Sequence, residues 1–259
     1  MPSAISFAKT LAGLLLLATP ALAVDGEILL DQARVNAGGI TPGDTPGFPA
    51  TLSRPGRYKL TGNLKAPAEK DGIEVAQHDV TIDLNGFTIS GAPSTTVVAG
   101  VLALPVGGGV MAQRLRVRNG TISGFAAGDD GYGIAAGWFA VIENMRIIGN
   151  SIGVSAAYSR VSDSTIAGNH FAGVGCFGCL LEQNLISLNF GYGAIVGEGD
   201  SVLGNLIVSN LYEGLFCSGT CGYGNNLLFE NNGGGPQVAG SGFFPPPPLH
   251  PNVCDPACP

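Results

Sequence analysis

Between Gly133 and Asn232, apolar and polar residues recur in register. Five blocks open on Gly133, Gly153, Gly173, Gly193 and Gly214, a step of 20 or 21 residues. An apolar residue follows each (Ile134, Val154, Val174, Ala194 and Leu215), and a second apolar column holds Ile147, Ile166, Ile186, Ile207 and Leu228. Three residues beyond each member of that column stand Asn150, Asn169, Asn189, Asn210 and Asn231. A further polar column reads Asn144, Ser164, Asn184, Asn205 and Asn226. The apolar and β-branched runs between these landmarks are only a few residues long, too short for helices.

A period of about 20 residues belongs to stacked repeats. One coil turns through three short strands and returns to its start about 4.8 Å higher, the spacing of paired strands. Identical positions then stack. The Ile and Val columns fill the interior. Asn occupies corners, where it tolerates the left-handed region and bonds to the Asn of the next coil. Leucine-rich repeats share the period, but their Leu-x-x-Leu-x-Leu consensus is absent. The pattern predicts an all-β, single-stranded parallel β-helix of about seven coils, right-handed by the general crossover rule.

Outside the regular blocks, residues 1–23 read as a signal peptide: Lys9, an apolar run over 11–19, then Ala21-Leu22-Ala23 as a small-x-small cleavage site. The run is too short to span a membrane, so export is expected, to the periplasm or outside the cell. Residues 24–69, with a turn at Pro55-Gly56 and a short strand at Tyr58-Lys59-Leu60, are assigned to an N-terminal cap that blocks the open edge of the stack. Residues 70–234 form the β-helix. Its first coils (Gly72-Ile73-Glu74-Val75, then 80–91 and 115–124) are spaced more widely than the later ones. The excess is expected to loop out over 92–99, 104–112 and 125–132, where sites on repeat scaffolds are commonly built. Residues 235–259 are a Pro-rich C-terminal cap with a Cys pair, Phe243-Phe244 covering the last coil and Pro245-Pro246-Pro247-Pro248 following.

The phrases PGRYKLTGNL and GIEVAQHDVTIDLNGFTISG, the N-x-I-x-x-N coils and the closing NNGGG…PNVCDPACP resemble exported bacterial right-handed parallel β-helix repeat proteins of the pectin-lyase-like superfamily. The resemblance covers residues 55–232. It implies the fold, and it leaves the activity open, since one scaffold hosts many functions: some relatives are lyases, hydrolases or epimerases of polysaccharides, and others have no known activity.

Charge narrows the partners. The chain holds 12 Lys and Arg against 19 Asp and Glu, and after Arg160 there is no Lys or Arg at all. That excludes nucleic acid, whose binding draws on many cationic contacts to phosphate; polysaccharide is the expected partner that the resemblance implies. Six cysteines in an exported chain predict local disulfides, Cys176 with Cys179, Cys217 with Cys221 and Cys254 with Cys258. No metal site is expected. Cys176 and Cys217 fall two coils apart, about 10 Å along the stack, too far for thiolates sharing one zinc.

Arg114, Arg116 and Arg118 alternate with Leu115 and Val117, so strand periodicity places them on one outer face, with Arg146 and Arg160 in the following coils. Glu143 and Asp163 are 20 residues apart and are expected to stack about 5 Å from one another. Arg116, Arg118, Glu143, Arg146, Arg160 and Asp163 therefore form a candidate catalytic set. Two close carboxylates suit a retaining glycosidase. Carboxylates beside arginines suit a lyase on uronic acids, in which Ca²⁺ neutralises the sugar acid while a base removes the proton alpha to it. No other cofactor is implied. The competing reading is a solvated ion-pair network. Trp138, Phe139, Tyr158 and Phe177 lie about one repeat apart and form a sugar-stacking ladder if exposed, or core if not. His78, His170 and His250 lack partners at ligand spacing and are read as surface residues.

Three functions follow as expectations: a non-catalytic, glycan-contacting protein at the cell envelope or outside the cell; a polysaccharide lyase or related enzyme on acidic glycans; or a structural spacer.

Overall fold

The computed structural model describes residues 26–126, 130–241 and 248–255. The expected signal peptide at 1–23, the Phe243-Phe244 pair and Cys258 lie outside these residues.

Stacked columns build the molecule. Ile147, Ile166, Ile186, Ile207 and Leu228 oppose one another in parallel register, and all are fully buried. Ile134, Val154, Val174, Ala194, Leu215 and Val238 form a second interior column. The coils share two parallel sheets, sheet I with 16 strands and sheet II with nine. In a regular coil, two short strands such as Arg160–Ser162 and Thr165–Ala167 join sheet I, and one longer strand, Ala172–Phe177, joins sheet II. The bend between the two short strands is left-handed in coil after coil: Asn85, Asn119, Asn144, Asp163, Gln183 and Asn225 have φ between 50° and 62°, a region that short polar side chains tolerate best. The opening glycines answer a different need. A Cβ on Gly153 would lie 2.4 Å from the Gly173 carbonyl oxygen and 2.7 Å from Ile166 Cγ2.

The asparagine ladder forms as expected. Asn150, Asn169, Asn189 and Asn210 each donate a side-chain amide to the next Asn Oδ1 at 2.8–3.2 Å. Each also donates its backbone N–H to the same oxygen at 3.0–3.1 Å. Asn231 closes on Gln237 Oε1 at 2.7 Å. The second ladder runs through Asn184, Asn205 and Asn226 and ends on Asn252, at 3.0–3.1 Å. Each ladder thus ends on a residue beyond the last regular coil. Buried amides satisfied on both sides rigidify a core at little net cost.

Two expectations change. Sheet II has nine strands, hence nine turns and not seven. Glu27–Leu30 and Gly56–Leu60 pair into sheet I, and Ala50–Leu52 begins sheet II. These early turns are joined by irregular segments, including the short helix Gln32–Ala37, so they carry no repeat period. Second, Asn144 is not part of the polar column. The backbone N–H of Met145, not Asn144, donates to Ser164 Oγ (3.1 Å), while Asn144 sits at the left-handed corner and donates to Asn119 Oδ1 (2.9 Å). The cause is a β-bulge in the strand Tyr132–Trp138. Ala135 opposes Ser155, 20 residues on, but Trp138 opposes Ala157, only 19 on. Such a bulge re-aims every side chain after it until the register recovers.

The insertion 104–112 carries an antiparallel hairpin of Pro105–Val106 with Val110–Met111. The insertion at 94–96 is clamped by Glu69, whose carboxylate accepts from Thr96, Thr95 and Ser94 and is pulled down to about 2 by those bonds. No helix among the described residues is long and apolar enough to cross a membrane.

Candidate functional site

Sheet I carries the charges. Arg116 pairs with Glu143 at 2.9 Å, Arg118 with Asp83 at 3.0 Å, and Arg114 makes two bonds of 2.6 and 2.7 Å to Asp79. Arg160 pairs with Glu182. Four members of the expected catalytic set are thus engaged in ion pairs; the exposed ones are worth about 0–1 kcal/mol each, and Arg118–Asp83 is partly buried. The same bulge breaks the expected carboxylate pair. Glu143 opposes Ser162, and Asp163 stands one position later, in the left-handed corner with φ 53°. Glu143 and Asp163 are therefore not stacked as register neighbours.

Arg146 differs from the other arginines of the expected set. It lies between Thr121 and Thr165 in sheet I and, among the described residues, takes part in no ion pair. With Asp163, Asn119, Asn144 and the two threonines it lines a polar groove of about 490 Å³.

The four aromatics come together. Trp138, Phe139, Tyr158 and Phe177 are 44%, 51%, 47% and 44% exposed. Tyr158 is the hub, with ring centroids 6.1 Å from Trp138, 6.0 Å from Phe139 and 5.6 Å from Phe177. Trp138 and Phe177 belong to one column of sheet II with Ala157 between them. Phe139 and Tyr158 sit at left-handed corners with φ 60° and 49°. Glycine in the next coil makes room for two of the rings. A Cβ on Gly178 would meet Tyr158 Cδ1 at 2.6 Å, and one on Gly197 would meet Phe177 Cδ2 at 2.8 Å. Phe139 and Tyr158 line a groove of about 490 Å³ together with Ser159, Arg160 and Ser201.

Disulfides brace this corner. Cys176–Cys179 brackets Phe177, and Cys217–Cys221 repeats the arrangement two coils on. Cys254 is disulfide-bonded, and its expected partner Cys258 lies outside the described residues. Buried Asp200 accepts the backbone N–H groups of Cys179 and Gly197, and burial pushes its carboxyl upward despite them. Its oxygen and both sulfurs lie within 4.8 Å of one another, but the bridge leaves no thiolate to bind a metal.

A second aromatic group has no counterpart among the sequence expectations. Tyr192 lies 6.5 Å from Phe171, 5.2 Å from Tyr212 and 5.3 Å from Phe216. Phe171, Tyr192 and Tyr212 are 21 and 20 residues apart, so a search of the repeat for aromatics would have found them. The histidines are structural or superficial: His78 Nδ1 accepts the Gln113 N–H at 3.0 Å, His170 packs on Phe190 at 5.6 Å, and the His250 β-carbon lies against Gly224.

One acidic pair lies apart from both grooves. Burial raises Asp71 and Glu74, which share a side-chain hydrogen bond, and Asp71 raises Glu74 further. Both carboxyls are thus more readily protonated in the fold than in the unfolded chain. Their stabilisation is complete below the ordinary carboxylate range and is lost as pH rises through the raised values. Glu74→Gln is expected to raise the melting temperature by a few degrees near neutral pH. The gain should shrink to nothing in acid, and a gain independent of pH would contradict the shared proton.

No family model matches the chain, and no curated protein matches it. Solved structures similar to it include the Dettilon tailspike protein, at 10% identity and a TM-score of 0.42, covering 69% of this chain and 46% of the tailspike. The chain therefore spans about half the tailspike's length. The A-module of the Azotobacter vinelandii mannuronan C-5 epimerase AlgE6 is similar at 14% identity and a TM-score of 0.37, with 83% and 67% of the two chains covered. That of AlgE4 has 12% identity and a TM-score of 0.32, with 88% and 92% covered.

Proposed function

We propose that the protein is an exported, non-catalytic glycan-binding β-helix whose contact site is the aromatic platform of Trp138, Phe139, Tyr158 and Phe177. The observation that carries this reading is four half-exposed rings gathered around Tyr158, which meets Trp138 and Phe177 edge to face and lines one groove with Phe139. Large rings left in water are otherwise costly. Their apolar faces suit the C–H faces of pyranose rings, and Ser159, Ser201 and Arg160 at the groove offer hydrogen bonds to sugar hydroxyls. The disulfides suit an oxidising compartment.

Affinity electrophoresis of the mature protein through polysaccharide-containing gels tests the reading. Tyr158→Ala removes the hub of the platform, so retention should fall by about tenfold or more, the loss expected of a central aromatic anchor. The melting temperature should hold, because the ring is half-exposed. Retention unchanged in a folded Tyr158→Ala protein would refute the assignment, and the absence of retention on any glycan would leave a structural spacer.

A second reading rests on Arg146, the arginine of the expected set without a carboxylate partner. In a lyase or related enzyme on acidic glycans it would hold the sugar carboxylate bidentately, with Asp163 lining the same groove. One carboxylate beside a guanidinium is a poor donor set for Ca²⁺, which takes six to eight oxygens, so no step is assigned to that ion. Growth of ultraviolet absorbance from an unsaturated uronide, abolished by Arg146→Ala, would favour this reading over simple binding.

A further inference from the structure

Sheet II presents a face without charge. From Ala99–Ala103 to Val238–Gly240, none of its strands contains Asp, Glu, Lys or Arg. Down its middle runs the column Ala135, Ser155, Gly175, Ile195, Phe216 and Ala239, all partly exposed. Small residues dominate the centre and rings mark both edges. Trp138 and Phe177 stand where the strands end. Phe171 and Tyr192 stand where they begin, and Tyr212 lies three residues before the strand Leu215–Cys217, with Phe171 39% and Tyr212 47% exposed.

We propose that the outer face of sheet II is a docking surface for a neutral polysaccharide, with Phe171, Tyr192 and Tyr212 forming a second aromatic ribbon opposite the platform. This rests on the glycan-binding reading and narrows its substrate class. Three observations choose the occupant. The coils that carry the second ribbon lie beyond Arg160, where the chain has no Lys or Arg but keeps Glu198, Glu213 and Glu230. A polyanion would therefore find repulsion and no counter-charge. A second copy of the chain, itself carrying a net charge of −7, meets the same repulsion, and these strands bring no Lys or Arg from either copy to a face-to-face contact. Finally, three successive coils each supply one ring, with neighbouring centroids 6.5 and 5.2 Å apart, a spacing on the scale of one pyranose unit. A periodic surface suits a periodic ligand. The Tyr192 and Tyr212 hydroxyls carry no hydrogen bond within the described residues, which leaves both available to sugar hydroxyls.

The test uses the mature protein in co-sedimentation with microcrystalline cellulose and in gels containing neutral mannan, alginate or polygalacturonate, at low and high salt. Retention on a neutral polymer, insensitive to salt, is expected. It should drop about tenfold in both Tyr212→Ala and Phe171→Ala while their melting temperatures hold. Retention on the acidic polymers alone, falling with salt, would overturn the neutral class but leave the glycan-binding reading standing. Neutral retention abolished by Tyr158→Ala yet untouched by both ribbon variants would overturn the second ribbon. No retention on any polymer would sink both readings. A concentration-dependent dimer broken by Tyr212→Ala would place a second copy on this face and overturn the proposal.

Discussion

Ile186→Asp yields no folded stack. Ile186 is fully buried, directly between Ile166 and Ile207, and its Cγ2 lies against Gly173 of the preceding sheet II strand. Removing the side chain alone costs about 2–5 kcal/mol. Leaving an unpaired carboxylate in that column adds several kcal/mol more, because no polar partner or water reaches it. The sum rivals the whole stability of an ordinary domain, about 5–15 kcal/mol. Solenoid coils contact only their neighbours, so the break also separates the coils on either side. The variant should be insoluble or lack a cooperative melt by circular dichroism. A soluble protein melting near the wild-type temperature would show that Ile186 does not lie in the core.

Asn189→Leu should be the next most damaging change. The substitution conserves volume and removes only polarity. The Asn189 Oδ1 accepts both the backbone N–H and the side-chain amide of Asn169, each at 3.0 Å. Its own amide donates to Asn210 Oδ1 at 2.8 Å and to the Ile166 carbonyl at 3.4 Å. Leucine orphans the two Asn169 donors, and a buried group without its partner costs about 1–3 kcal/mol. A loss of about 3 kcal/mol is expected, which lowers the melting temperature by about 6–12 °C in a chain of this size. Urea melts should show the same loss with an unchanged m-value. A change below about 0.5 kcal/mol would mean that the ladder is offset by the desolvation of its own amides, as buried polar networks sometimes are.

The interior was legible because stacking makes neighbouring coils solve the same steric problem. Ile166, Ile186 and Ile207 meet the same neighbours, as do Asn169, Asn189 and Asn210, so residue identity repeats with the coil. The aromatic platform was visible for the same reason. Its exposure was not, because a ring at repeat spacing can face either way. What misled was counting. Spacings of 20 residues placed Asn144 over Ser164 and Glu143 over Asp163, and a single extra residue between Ala135 and Trp138 moved both pairs out of register. No residue type announces that bulge, since its cost and benefit depend on the strand beside it.

By itself, the sequence determined the parallel stack, its Ile and Asn columns and two of its disulfides, because these depend on periodicity and on near neighbours in the chain. The tertiary structure decided which charges pair, that Arg146 stays apart, how many turns precede the regular coils, and that two sets of rings flank the uncharged strands of sheet II. Those properties arise between residues about one or more coils apart, and at that distance a shift of one position changes which side chains meet.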